Sequence, residues 1–363
     1  MKIVILSDGL AGFMLAHVLS KKGHVVTLID TDQGPQTERR FYDFGIHFLP
    51  DTPRVRNGLA LLEECFGKSF DTQVVQTTPL TFKDGKLEQF IGFGESSSKS
   101  IEPLGFFNKP SRLVLNLSDE ALVQLAVQKG EFKFLPFSEI SAFHFKHSTK
   151  SSRLEKITIN GQTDIEADQF FYLNTPSNML PLLPQELIGV RARSRLEKSS
   201  SWARISLKCV YETPIVSNDA LLFLLPNQPD QLPCVGQIEK LGALQLSNWL
   251  TFIPGEMVED AAYVSSGLKE IRKLVRKAFH PLEPAPKESV SVELLAAADL
   301  SWIFENDDLM GVAENFHFVP RLAAQSQGLA QSVECVSRAC CGLFPSADQY
   351  ETYNTSPTLL QHP

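Results

Sequence analysis

The sequence predicts an α/β protein. A parallel sheet opened by a β-α-β unit should carry an interleaved α+β unit. Three observations predict this. The first thirty residues read strand, turn, helix, strand. Residues 140–176 carry a hairpin pattern that returns to a buried strand. Residues 202–254 hold four more strand-like runs, followed by an amphipathic helix. A chain of 363 residues has room for about two domains.

Lys2-Ile3-Val4-Ile5-Leu6 is a continuous apolar run, as expected of a strand covered on both faces. Ser7-Asp8-Gly9-Leu10-Ala11-Gly12 is a glycine turn. Phe13 to Lys22 reads as a helix that stops at Gly23. Val25 to Ile29 is a second buried strand ending at Asp30. The free N–H groups at a helix start favour a diphosphate. Gly9 would let the backbone approach it, and Gly12 would let the helix pack closely on the strand. Asp30 lies 21 residues beyond Gly9, where a carboxylate can hold a ribose diol. The unit therefore predicts a Rossmann-like dinucleotide fold. The glycine fingerprint is incomplete, because Ser7 stands at its first position.

Further along, Asp119 to Ala126 reads as an amphipathic helix before Gly130. Ile140 to Phe143 and Leu154 to Ile159 are strands, and Asn160-Gly161 is a tight-turn dipeptide. Strand-like runs follow at 202–211, 219–226, 232–239 and 247–254. Gly267 to Phe279 places Leu268, Ile271, Leu274, Val275 and Phe279 on one helical face, and Pro281 ends it.

Composition narrows the functional classes. Hydrophobic residues make up 43% and charged residues 21%, which suits a folded globular chain rather than a disordered one. A net charge of −8 argues against nucleic-acid binding, which needs a basic face. Six cysteines show neither zinc spacing nor a disulfide framework, so reduced thiols and a cytoplasmic location are expected. No apolar run is long enough for a membrane span, and Asp8 interrupts the one near the N-terminus. No metal site, nucleophile elbow or paired-carboxylate motif is visible, so no catalytic residue is named.

Three further segments carry a resemblance. They are Phe41 to Phe48 with Asp43 and Gly45, then Ile140 to Pro176, which ends in Ala167-Asp168 and a strand. The last is Met310-Gly311-Val312-Ala313-Glu314 with Gln327-Gly328. With the N-terminal unit, this order resembles the flavin-dependent amine oxidase and phytoene desaturase superfamily. The resemblance implies a discontinuous FAD-binding domain of residues 1–75, 111–188 and 298–345. A substrate domain of 76–110 and 189–297 and a tail of 346–363 complete the chain. It implies FAD bordered by Ser7, Asp8, Gly9, Leu10, Ala11, Gly12, Asp30, Gly45, Ile140, Ala313, Glu314, Gln327 and Gly328. The substrate would be a small apolar molecule or an amine, losing hydride to flavin.

The sequence departs from the family at several points. The phosphate-clamping diglycine and arginine after the second strand are missing. Arg39 or Arg40 takes over that clamp, or both are solvated loop charges. Ala313 and Gln327 replace a glycine and a serine. These departures keep two alternatives open: a flavoprotein-fold partner protein without redox activity, and an NAD(P)-binding protein. His47 and His317 fall in segments placed near the flavin, as proton relays or as ordinary hydrogen-bonded residues. Arg191, Arg193 and Arg195 form either an anion site or a solvated hinge.

Overall fold

The structure is a computed structural model that describes residues 1–7, 9–31, 46–94, 101–136, 138–147, 151–174, 179–197, 202–226, 231–279, 285–295, 312–319 and 328–343. The N-terminal unit forms as its pattern dictates. Strand β1 (Lys2–Ser7) is buried from Ile3 onward, α1 spans Leu10–Lys21, and β2 spans Val25–Asp30. The remaining strands of the same sheet are β3 (Lys133–Leu135), β4 (Gln169–Tyr172) and β5 (Phe316–Phe318). The order is β5-β4-β1-β2-β3, and every neighbouring pair is parallel. The chain builds outward from β1 to β3, then returns to lay β4 and β5 on the other side of β1. That reversal falls between β1 and β4, and open α/β sheets bind ligands beyond the carboxyl ends of the strands that flank such a point.

Alternation along the strands gives the sheet two apolar faces. Ile5, Leu28 and Phe171 point towards helices. Val4, Leu6, Ile29 and Tyr172 point towards a three-stranded antiparallel sheet of Ile140–His147, Ser152–Ile159 and Thr163–Glu166. The expected turn is present there: Asn160 and Gly161 take φ of 52° and 68°. Glycine and asparagine tolerate such values best, and the pair opens the three-residue connection Asn160–Gln162 between strands that pair Ile159 with Thr163.

Helix α1 and three further described helices cover the other face. Helix α2 (Pro53–Phe66) starts where Thr52 Oγ1 accepts the Val55 N–H at 3.3 Å, with Pro53 in the first turn. Helix α3 spans Asp119–Val127 and packs on α1. The last described helix in the chain runs Gly328–Leu343 and crosses both α1 and α2. It meets α2 at Gly58, where a Cβ would run into the Val333 carbonyl oxygen.

Besides a small antiparallel sheet of Leu49–Pro50, Ser111–Val114 and Gln73–Gln76, the described residues form a seven-stranded sheet. Its order is Lys287–Leu295, Trp202–Tyr211, Leu244–Pro254, Cys234–Leu241, Ala220–Leu224, Leu80–Lys83 and Lys86–Gln89. All its pairs are antiparallel except Ala220–Leu224 with Leu80–Lys83. One face carries Ile205, Trp249 and Ile253 beneath helix α4 (Ala261–Ala278). Asp260 caps that helix by accepting the N–H groups of Ala262 and Tyr263 at 2.9 and 3.0 Å. The other face sends Trp202, Leu221, Phe223, Val235, Leu250 and Phe252 into the apolar layer that holds Ile5 and Leu28. The two large sheets therefore share one core.

Candidate functional site

The carboxyl edge of the parallel sheet gathers most of the described cofactor candidates. Ser7 and Asp30 are register partners at the ends of β1 and β2, and both are buried. Leu28 faces the helices, so by alternation Asp30 and Ser7 project to the side of α1. Helix α1 begins after Gly9 and has no side-chain cap among the described residues. Its first N–H groups, beginning at Leu10 and Ala11, give that end a partial positive charge. A Cβ on Gly12 would lie 2.5 Å from Ser7 Cβ and 2.9 Å from Leu28 Cδ1, so helix and strand touch directly at this glycine.

Ser7 changes the chemistry of the turn. Its Oγ accepts the Gly9 N–H at 3.3 Å. The hydroxyl thus occupies a backbone donor beside the place where an anion would approach. Ile140 lies on the opposite face of the same edge, packed near Leu6 and Ile29. It is brought there by Ser138, whose N–H donates to the Asp30 carbonyl at 2.8 Å.

One residue at this edge was not singled out from sequence. Asn174 follows β4, is buried, and donates from Nδ2 to Thr31 Oγ1. Its Oδ1 has no hydrogen-bond partner among the described residues. The bond links the exits of β4 and β2 on either side of β1. A polar side chain just beyond a buried strand was the available signal.

The closing motif is corrected by the structure. Ala313 and Glu314 precede β5 rather than follow it. Glu314 donates its N–H to the Ser152 carbonyl, and Phe316 pairs with Phe170. They therefore sit at the amino edge of the parallel sheet, opposite Gly9 and Asp30, and cannot border a ligand held at the carboxyl edge. The chain leaves β5 after Phe318, and Pro320-Arg321 comes next in sequence. Gly328 opens the last described helix with φ of 56°, a conformation that favours glycine. Asp8, Arg39, Arg40, Gly45 and Gln327 lie outside the described residues.

The histidines separate. His317 pairs in register with Phe171, stacks on it at 4.7 Å, and bonds through Nε2 to Gln169 Oε1 at 2.6 Å. Burial holds its pKa below the ordinary imidazole value. That is a packed residue with a partner, on the helix side of the sheet. His47 instead lies 3.1 Å from Asp119 Oδ2 through Nδ1. Arg193 donates to the Leu180 and Leu183 carbonyls at 3.2 and 2.8 Å, which fixes a local turn rather than offering an anion site. Among the described residues, no group of three or more His, Cys, Asp or Glu could hold a metal. No described helix is long and apolar enough to cross a membrane.

Solved structures with this architecture include an oxidoreductase from Methanosarcina mazei, with TM-score 0.59 and 13% identity. That match covers 93% of this chain and 99% of the other. A protein from Pyrococcus furiosus gives 0.57 at 11% identity, covering 94% and 97%. A protein described as a candidate FAD-containing monooxygenase from Photorhabdus luminescens gives 0.50 at 10% identity, covering 93% and 86%. No protein-family profile matches the chain, and no curated protein does. At these identities the likeness establishes the fold: a mixed α/β architecture with a Rossmann-like parallel sheet.

Proposed function

We propose that this protein is an FAD-dependent oxidoreductase of the amine oxidase and desaturase type, acting on a small molecule. The observation that carries the reading is the start of α1, with no side-chain cap among the described residues, beside the buried Asp30 at the reversal point of the sheet. The residues fit the adenosine end of such a cofactor. Asp30 would accept from a ribose diol, and the N–H groups at Leu10 and Ala11 would face a diphosphate. Gly12 keeps helix and strand close enough for both to act together. Asn174 Oδ1, with no partner among the described residues, offers one more acceptor at the same edge. When bound, FAD supplies a hydride acceptor for a substrate C–H bond. The segments around the parallel sheet would hold the cofactor, and the seven-stranded sheet would face the substrate. The amine oxidase and desaturase type rests on the sequence resemblance; the oxidoreductase and FAD-containing neighbours of the same fold support the broader FAD-dependent oxidoreductase reading.

A second reading has its own observation. Ser7 Oγ takes the Gly9 N–H, and Glu314 lies at the wrong edge. Both favour a flavoprotein-fold protein that has given up redox chemistry and binds a partner. Equilibrium titration with FAD, followed by flavin fluorescence, separates the two. Saturable binding that weakens about tenfold or more in Asp30→Ala supports the oxidoreductase reading. No saturable signal at about 50 μM, roughly −6 kcal/mol of binding, supports the other.

A further inference from the structure

The inward face of the seven-stranded sheet carries polar residues that cofactor binding does not use. Gln237 is 2% exposed, and its neighbour two places along the strand, Glu239, projects from the same face. Gln237 Nε2 donates to Glu239 Oε1. Gln237 Oε1 has no hydrogen-bond partner among the described residues. An unpaired buried acceptor of this kind is costly unless a donor arrives. His47, which pairs with Asp119, and Arg112 act electrostatically on Glu239 and favour its charged form, while Asp119 and Asp219 oppose it. Burial raises the Glu239 pKa, which an arriving cation would reverse. Beside this row, Phe223 occupies the same inward layer and stacks on Phe90 at 4.4 Å.

We propose that Gln237 and Glu239 form the polar end of a ligand site for a planar nitrogen cation, an amidinium or guanidinium carried on an apolar body. Such a cation carries several N–H donors in one plane, enough to serve both the Gln237 carbonyl and the Glu239 carboxylate. The phenylalanines supply the apolar wall. Neutral ligands gain the hydrogen bonds but not the charge, and carboxylates are repelled by Glu239. The site does not require bound FAD, so it stands or falls apart from the cofactor reading.

Benzamidine, benzamide and benzylamine are the probes, titrated calorimetrically into the full chain. Benzamidine should bind saturably, about tenfold or more tighter than neutral benzamide and tighter than the point-charged benzylamine. Its affinity should rise with pH as Glu239, whose pKa burial raises, ionises. Glu239→Gln, which keeps the size of the side chain, should reduce benzamidine binding to the level of benzamide while the FAD titration stays unchanged. Equal binding of benzamidine and benzamide overturns the proposal. So does undiminished benzamidine binding in a folded Glu239→Gln. The wild-type comparison of the probes decides the matter even where that variant does not fold.

Discussion

Replacing Gly12 with alanine puts a methyl group into a contact that the structure defines closely. The new Cβ would stand 2.5 Å from Ser7 Cβ, 2.7 Å from Ser7 Oγ and 2.9 Å from Leu28 Cδ1. The Leu28 methyl can rotate aside, but Ser7 Cβ is fixed to the strand. Overpacking of this kind costs about 1–3 kcal/mol. For a chain of this size that lowers the melting temperature by about 1–2 °C per kcal/mol. Ser7→Gly in the same chain removes two of the three clashing atoms. It also loses the Oγ bond to the Gly9 N–H and adds a glycine within a strand, together about 1–2 kcal/mol. The double variant should therefore be more stable than the sum of the single losses predicts, by about 1–2 kcal/mol. Urea denaturation of wild type, both singles and the double measures that coupling. A Gly12→Ala as stable as wild type would refute the close helix–strand packing. Single losses that simply add would refute the claim that Ser7 is what the methyl meets.

Ser7→Gly alone frees the Gly9 N–H, so FAD affinity should rise in fluorescence titration even though stability falls; unchanged affinity would mean that this donor does not face the cofactor. Gly58→Ala should destabilise by about 1–3 kcal/mol in urea, because its Cβ would meet the backbone oxygen of Val333, which cannot rotate away. Burial holds His317 and His17 below the usual imidazole pKa. Below about pH 6.5 the unfolded chain then takes up more protons than the folded one, so their contribution is full above that pH and shrinks on acidification. The urea midpoint should fall between about pH 7 and about pH 5. His317→Gln should flatten the fall, and an unaltered slope would count against burial as the cause.

The N-terminal unit was legible because its information is local. Apolar runs, a glycine turn and an acid at the strand end lie within thirty residues, and Ser7, Gly12 and Asp30 do meet in space. Asn160-Gly161 was legible for the same reason. Helix α4 was read from Gly267, but the capping Asp260 starts it six residues earlier. The closing motif failed because an apolar stretch around Met310 was read as the strand, whereas the strand is Phe316–Phe318. That small slip along the chain moved Glu314 from one edge of the sheet to the other. The pairing of Leu80–Lys83 with Ala220–Leu224 and the approach of Glu239 to His47 join distant segments. No periodicity within either segment encodes such a meeting.

That parallel pairing bears on how the protein is made. Leu80 and Thr81 find their partners, Leu222 and Phe223, about 140 residues later in the chain. On the ribosome, the hairpin of Leu80–Gln89 emerges long before the strand that shields its edge. An unshielded edge can pair with another chain, and distant pairings form slowly. A product truncated before Ala220 would present that edge permanently and should aggregate. The seven-stranded sheet closes only when both halves of the polypeptide have been translated, so co-expressed fragments cut near residue 190 should each fail alone and recover solubility together.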